Sequence, residues 1–354
     1  MLDEGQLLGH EQRVSGPVER VLALKRLPVV NTLSGPQLAL VADEMAERFF
    51  PKGTVMLREG EPPGALYFPI EGRVHITRGG RLLGHARPGL AVGPFHVLAR
   101  DERGLGAVAE TATVALELTT ERLNEIFEEH FAILHRILRE VSRLIVEQVV
   151  RFPRAVTLLP PMPAGDAMPT RDLDLVERIF LLRRSPVFLG ASISALAQLS
   201  RGLTEVRFPP GTWLWREGEE TGWGSLIVSG TVRASSSRGH RFEAGPGTAL
   251  GALDALAEVP RWFDAVTDTP VVALQANMQA LVDVFEDNVG MAINYLSVMS
   301  RWLLVILDRS LAARERVRRV YGGEPAPESP DRVLDAQEQE EAGAAEAGAP
   351  GPTS

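Results

Sequence analysis

The chain has 354 residues, 45% of them hydrophobic and 23% charged, the balance of a globular protein of about two domains. The net charge is -9 and the pI about 5.4, so no basic domain offers a nucleic-acid footprint, and the absence of cysteine removes disulfides, thiolate metal sites and thiol catalysis. The opening residues MLDEGQLLGH are too polar for a signal peptide, and the most apolar segment, Tyr295 to Leu307, is interrupted by Arg301, so a cytoplasmic chain with no membrane span is expected.

In chain order, residues 1–16 read as a flexible N-terminus. An amphipathic helix follows at Val18–Val30, and a shorter one at Gly35–Arg48. Short segments of strand character come next, at Thr54–Leu57, Leu66–Ile70, Arg73–Thr77 and Val108–Leu118. Gly and Pro separate them, and such punctuation predicts a β-barrel or roll. A long helix, Leu123–Arg151, closes the series, with Ile126, Ile133, Leu134, Ile137, Leu138, Val141 and Ile145 recurring at helical spacing. Residues 152–171 then carry Pro153, Pro160, Pro161, Pro163 and Pro169, which makes them a semi-extended linker.

After the linker the chain repeats itself. VERVLALKRLPVV (Val18 to Val30) returns as VERIFLLRRSPVF (Val176 to Phe188), 158 residues on. At the same offset FPKGTVMLREGE (Phe50 to Glu61) becomes FPPGTWLWREGE (Phe208 to Glu219), and AVAETATVAL (Ala107 to Leu116) becomes AVTDTPVVAL (Ala265 to Leu274). Gly72 maps to Gly230 and Pro88-Gly89 to Pro246-Gly247, with no gap anywhere, so the chain is a duplicated domain. Copy one spans 17–151 and copy two 172–321, with Ser192–Leu203 as its second helix and Leu281–Val320 as its closing one. Residues 322–354, rich in Glu, Ala, Gly and Pro, bury too little to offset ordering entropy and read as a disordered acidic tail. The fold class is mainly β with flanking helices: two tandem jelly-roll-type β-rolls, each closed by a long C-terminal helix.

The pattern G-T-x-x-x-R-E-G-E, an apolar strand ending in Gly72 or Gly230, and then P-G-x-x-x-G resembles the cyclic nucleotide-binding domain of catabolite-activator-type regulators and kinase regulatory subunits. The resemblance implies a phosphate-binding cassette in each copy. In it a Gly-Glu pair opens a short helix whose Glu holds the ribose, and an Arg a few residues later pairs with the cyclic phosphate. One phosphate charge in a partly dry pocket calls for a guanidinium and no competing anion. The matching positions are Gly93 and Arg103 in copy one, Gly251 and Arg261 in copy two. The ribose Glu is replaced by Pro94 and Ala252, a loss of about tenfold to a hundredfold in affinity. In copy two, Trp262-Phe263 replace small residues and Asp264 stands where the family places Ser or Thr beside the phosphate. The two arginines have an alternative role as partners of local acids, Glu102 or another nearby acid for Arg103 and Asp264 for Arg261.

No catalytic motif and no metal-ligand spacing occurs, although His96 lies within the first cassette. The EGE turns, Glu59–Glu61 and Glu217–Glu219, are expected to serve the strand turns. The tryptophans, Trp213, Trp215, Trp223, Trp262 and Trp302, all fall in copy two, where core packing and a protein interface both account for them. The final helix carries a wide apolar face, and Trp302, Leu303 and Ile306 are the candidates for contact with a protein partner or a second copy of the chain. Two readings stay open: a non-enzymatic regulatory or scaffold protein, without cofactor and with weak or lost nucleotide control, and a cyclic AMP or cyclic GMP sensor acting through copy one.

Overall fold

The computed structural model describes residues 16–27, 30–151 and 171–321, with side chains as far as residue 309. The flexible N-terminus, the Pro-rich linker and the acidic tail expected from the sequence lie outside the described residues, Gly16 and Arg171 apart.

In copy one, α1 (Pro17–Leu24) starts with proline at its first turn and Glu19 folded back on the Gly16 amide at 2.9 Å. Ser34 caps α2 (Gly35–Asp43) in a capping box with Gln37. That helix ends at Asp43, short of the Arg48 read from the sequence. The next residues form β1 (Ala46–Phe50), whose backbone is satisfied by antiparallel pairing with β7 (Thr113–Thr119), from Ala46 opposite Glu117 to Phe50 opposite Thr113. The roll adds β2 (Val55–Leu57), β3 (Ala65–Glu71), β4 (Val74–Arg78), β5 (Arg81–Ala86) and β6 (Gly106–Ala109). Two antiparallel sheets result, ordered β1-β7-β3 and β2-β6-β4-β5. The single stretch expected at Val108–Leu118 is therefore two strands, one in each sheet.

Copy two repeats this plan: α6 (Leu175–Arg183), a 3-10 turn at Pro186–Phe188, α7 (Ile193–Gly202), then β8 (Thr204–Phe208) through β15 (Val271–Asn277). Its sheets run β13-β10-β15-β8 and β12-β11-β14-β9, where β9 is Trp213–Trp215, β10 Trp223–Ser229, β11 Val232–Ser235, β12 Arg241–Ala244, β13 Ala249–Leu250 and β14 Asp264–Thr267. The counterpart of β13 in copy one is a single bridge, Tyr67 to Val92. The cores correspond side chain by side chain: Leu57, Val74, Ala86, Val92, Leu105 and Ala107 against Trp215, Val232, Ala244, Leu250, Phe263 and Ala265.

Each expected closing helix is broken once. α4 (Thr120–Glu129), capped by Thr119, stops at His130 with φ -132° and ψ 71°, and α5 (Phe131–Arg151) follows. In copy two, α9 (Met278–Asp287) and α10 (Val289–Tyr321) meet at Asn288, whose side chain donates to the Val284 carbonyl at 2.9 Å. The stretch Val289–Arg309 has a mean hydropathy of 1.5, enough by length and composition to cross a membrane, but 67% of it is buried inside the protein, as in a core helix.

The repeat in sequence is not the compact unit in space. One unit gathers the described residues of Met1–Val141, Val187–Ala195 and Val282–Arg301; the other gathers those of Ser142–Pro186, Leu196–Leu281 and Trp302–Ser354. α5 and α10 are thus each divided between the two units. Both helices bury the same heptad register, Leu134, Leu138, Val141 and Ile145 in α5 and Ala292, Leu296, Met299 and Leu303 in α10. This corrects the expected interface. Leu303 and Ile306 are each 1% exposed within the chain and Trp302 is half-buried, so no free apolar stripe remains at these positions for a partner.

Candidate functional site

The two cassettes share one backbone frame. Gly93, at φ 82°, turns the chain from Val92 into α3 (Pro94–Ala99), and Gly251, at φ 75°, does the same before α8 (Ala252–Ala257). A β-carbon at Gly93 would press within 3.2 Å of Leu57, and one at Gly251 would overlap the Arg261 guanidinium, so both positions need glycine for space as well as conformation. Behind each cassette, the glycine of the EGE turn fixes the arginine's backbone: the Gly60 amide donates to the Arg103 carbonyl and the Gly218 amide to the Arg261 carbonyl, both at 2.8 Å. The first glutamates of these turns serve the neighbouring hairpins, as expected. Glu59 accepts from the Gly80 amide at 3.0 Å, and Glu217 from the Ser237 amide and hydroxyl at 2.6 and 2.7 Å. Its hydrogen bonds to Thr77 and to the Gly80 amide hold the Glu59 carboxyl below its ordinary value.

In copy two Arg261 is fully buried, 1% exposed. Its guanidinium donates to the Gly251 carbonyl at 2.6 Å, the Trp223 carbonyl at 2.5 Å and the Asp254 carboxylate at 3.0 Å. It also lies over the Trp215 ring at 4.1 Å and the Trp223 ring at 5.0 Å from their centroids, a cation–π contact with each. The partner acid is therefore Asp254, not Asp264. Asp264 instead accepts from the Glu217 amide at 2.8 Å and stiffens the EGE turn. Burial pushes the Asp254 carboxyl up, while the charge and hydrogen bond of Arg261 hold it back.

In copy one Arg103 points outward, its side chain 66% exposed, with its Nε 3.4 Å from Asp101, the nearby acid it meets in place of Glu102. The buried Asp101 carboxylate is held mainly by Arg78, at 2.7 Å, and Arg78 also donates to the Gly104 carbonyl at 3.1 Å. Burial works to raise the Asp101 carboxyl, but the hydrogen bond and charge of Arg78 outweigh it and keep the group below its usual range. One of the positions that differ bears directly on the two arginines. At the offset of 158, Asp254 of copy two is His96 of copy one. Burial, with Arg78 nearby, pushes the His96 imidazole down to about 4, and its Nε2 has no hydrogen-bond partner. A neutral ring at this place gives Arg103 no anion to turn toward.

The surroundings differ in the same sense. Leu57, Ala65 and Leu105 of copy one correspond to Trp215, Trp223 and Phe263, which pack edge to face at 5.3 and 5.4 Å inside the second roll. Trp262 continues the cluster at 4.5 Å from Phe263, so most of the tryptophans named in the sequence serve the core, and Trp213, 45% exposed beneath Arg216, is the exception. Copy one keeps a cleft of about 340 Å³ beside Leu57 and Ala65, with Arg58, Glu61, Tyr67 and Glu117 among its lining. There the Glu117 carboxylate is already taken by Arg48 at 2.7 Å and the Tyr67 hydroxyl at 3.1 Å. Burial first, and then the Glu117 charge, push the Tyr67 phenol up to about 12. Within the first compact unit, the Ser297 hydroxyl of α10 donates to the Ala99 carbonyl at the end of α3, at 3.2 Å. Within the second, His240 binds the Val149 carbonyl of α5 at 3.1 Å and packs edge-on against Trp262. Among the described residues, no group of three His, Asp or Glu gathers to hold a metal ion.

Asp101, Asp254 and Arg78 were not singled out from the sequence. The available signal was the exchange of His96 for Asp254 in otherwise matching cassettes.

A family model for the cyclic nucleotide-binding domain matches residues 47–130 and 205–288. The CRP-like cAMP-activated global transcriptional regulator of Mycobacterium tuberculosis is 32% identical over 128 residues, which is 35% of this chain and 57% of that protein. Glutaminase 1 of Bradyrhizobium diazoefficiens is 27% identical over 128 residues, 36% of this chain and 21% of that protein. The chain therefore spans well under two thirds of the length of the curated relatives it matches. Among solved structures, the regulatory subunit of a cAMP-independent protein kinase A from Trypanosoma brucei is similar at 20% identity, covering 82% of this chain and 91% of that one with a TM-score of 0.31.

Proposed function

Because the chain carries two tandem cyclic nucleotide-binding domains, we propose that it is a non-enzymatic regulatory protein that acts through protein contacts, with nucleotide control lost in copy two and weakened in copy one. The observation that carries this reading is Arg261: buried, and already bonded to a carboxylate and two carbonyls of its own domain. A nucleotide phosphate at that place would have to displace Asp254 or sit beside it, and a second anion in a dry site is strongly disfavoured. Copy one differs in degree. Its arginine is exposed and a cleft adjoins the cassette, but Asp101 competes for the guanidinium and Pro94 offers neither a carboxylate nor an N–H. Ser297 supports the regulatory part of the reading, because its hydrogen bond ties the end of α3 directly to α10.

Calorimetry on the full chain with cyclic AMP and cyclic GMP tests it. The expected stoichiometry is no more than one site per chain, abolished by Arg103→Ala. Two sites, or a site that survives Arg103→Ala, would contradict the assignment.

A further inference from the structure

We propose that copy two is an oxyanion site occupied from within, the Asp254 carboxylate holding Arg261 inward where a dissolved anion would otherwise be needed. The inference rests on the reading of Arg261 as satisfied by its own domain, and adds what the site becomes when that acid is removed. A guanidinium with 1% exposure must have a counter-charge, and the carboxylate that meets it is Asp254, itself buried. Its other acceptors are the neutral carbonyls of Gly251 and Trp223, and the Trp215 and Trp223 rings lie against it. The contact with Asp254 uses one carboxylate oxygen and one nitrogen, Nη1. The guanidinium Nε is buried and has no partner, so the pair leaves one donor unsatisfied that a free anion of several oxygens is able to engage.

Copy one provides the natural comparison. It has the same glycine turn and the same arginine in register, but His96 stands where Asp254 does, and the arginine faces outward. The inward position of Arg261 therefore goes with the acid, aided by the two tryptophans. Removing that carboxylate, with the arginine left in place, converts a self-sufficient domain into one that depends on a small oxyanion.

The test is thermal unfolding of the full chain carrying Asp254→Ala in sodium chloride, sodium formate and sodium phosphate at matched ionic strength. In chloride the variant is expected to melt about 10 °C below wild type, because a buried charge has lost its partner. Formate or phosphate should restore at least half of that loss in a saturable manner, while wild type responds to neither beyond the chloride control. The double variant Asp254→Ala/Arg261→Met, with no buried charge left, should melt well above the single variant and show no anion response. An Asp254→Ala protein that melts like wild type, or equally low in all three salts, overturns the proposal. So does a single variant unfolded in every salt beside a double variant that folds. Nucleotide binding by wild-type copy two would instead overturn the functional reading, so the two failures are distinguishable.

Discussion

Replacing Gly230 by alanine is expected to remove about 4 kcal/mol or more of stability, near the upper end of what single substitutions cost. Gly230 ends the apolar strand β10 at φ 85°, a conformation that costs an L-residue on the order of 1–2 kcal/mol by itself. A β-carbon there would also overlap the Pro270 carbonyl and come within 2.9 Å of the Val271 Cα, both of them backbone at the start of β15. Relieving that overlap means shifting the strand that pairs with β10 and β8 at once. Gly218, at φ 90° with nothing within 4 Å, is the control for conformation alone, and its alanine variant should lose only about 1–2 kcal/mol. Urea unfolding of the two variants side by side measures the difference. Equal losses would mean that the overlap at Gly230 relaxes freely.

Acidification should weaken copy one through His96. Burial and the Arg78 charge lower its pKa from 6.5 to about 4, so the folded protein keeps the ring neutral where the unfolded chain takes up a proton. Stability is therefore complete above the unfolded value and is lost progressively as pH falls from 6.5 toward 4, by about 3 kcal/mol in all. The depressed carboxylates, Asp101 and Glu59, have the same sign but act only at lower pH, because their contribution persists until pH falls below the ordinary carboxylate range. Unfolding free energies across the upper part of the histidine window, in wild type and in His96→Gln, separate the two. The variant should show a clearly flatter decline, and an unchanged slope would remove His96 from the account.

The sequence carried the architecture because duplication preserved register: one offset of 158 residues placed most of the core pairs, both glycine turns and both arginines. It concealed β1, since AERFF follows a helix without Gly or Pro to punctuate it, and only pairing with β7 makes it a strand. It concealed the breaks at His130 and Asn288, because apolar residues keep helical spacing across both. The acids that take the cassette arginines were hidden for a different reason. Asp101 and Asp254 are not equivalent positions, and which acid an arginine reaches depends on the direction of its side chain. The stripe through Leu303 and Ile306 was legible as apolar, but the sequence could not show that the chain covers it itself.

On the proposed reading, Arg261 is permanently engaged inside its own domain. Nuclear magnetic resonance of arginine side chains addresses it directly in the wild-type chain. Guanidinium protons held by Gly251, Trp223 and Asp254 out of contact with water should exchange slowly and give resolved signals, assigned by their loss in Arg261→Lys. These signals are expected to be present without ligand and to stay in place when millimolar cyclic AMP or cyclic GMP is added. Signals averaged with water in the free protein, or displaced by either nucleotide, would contradict it.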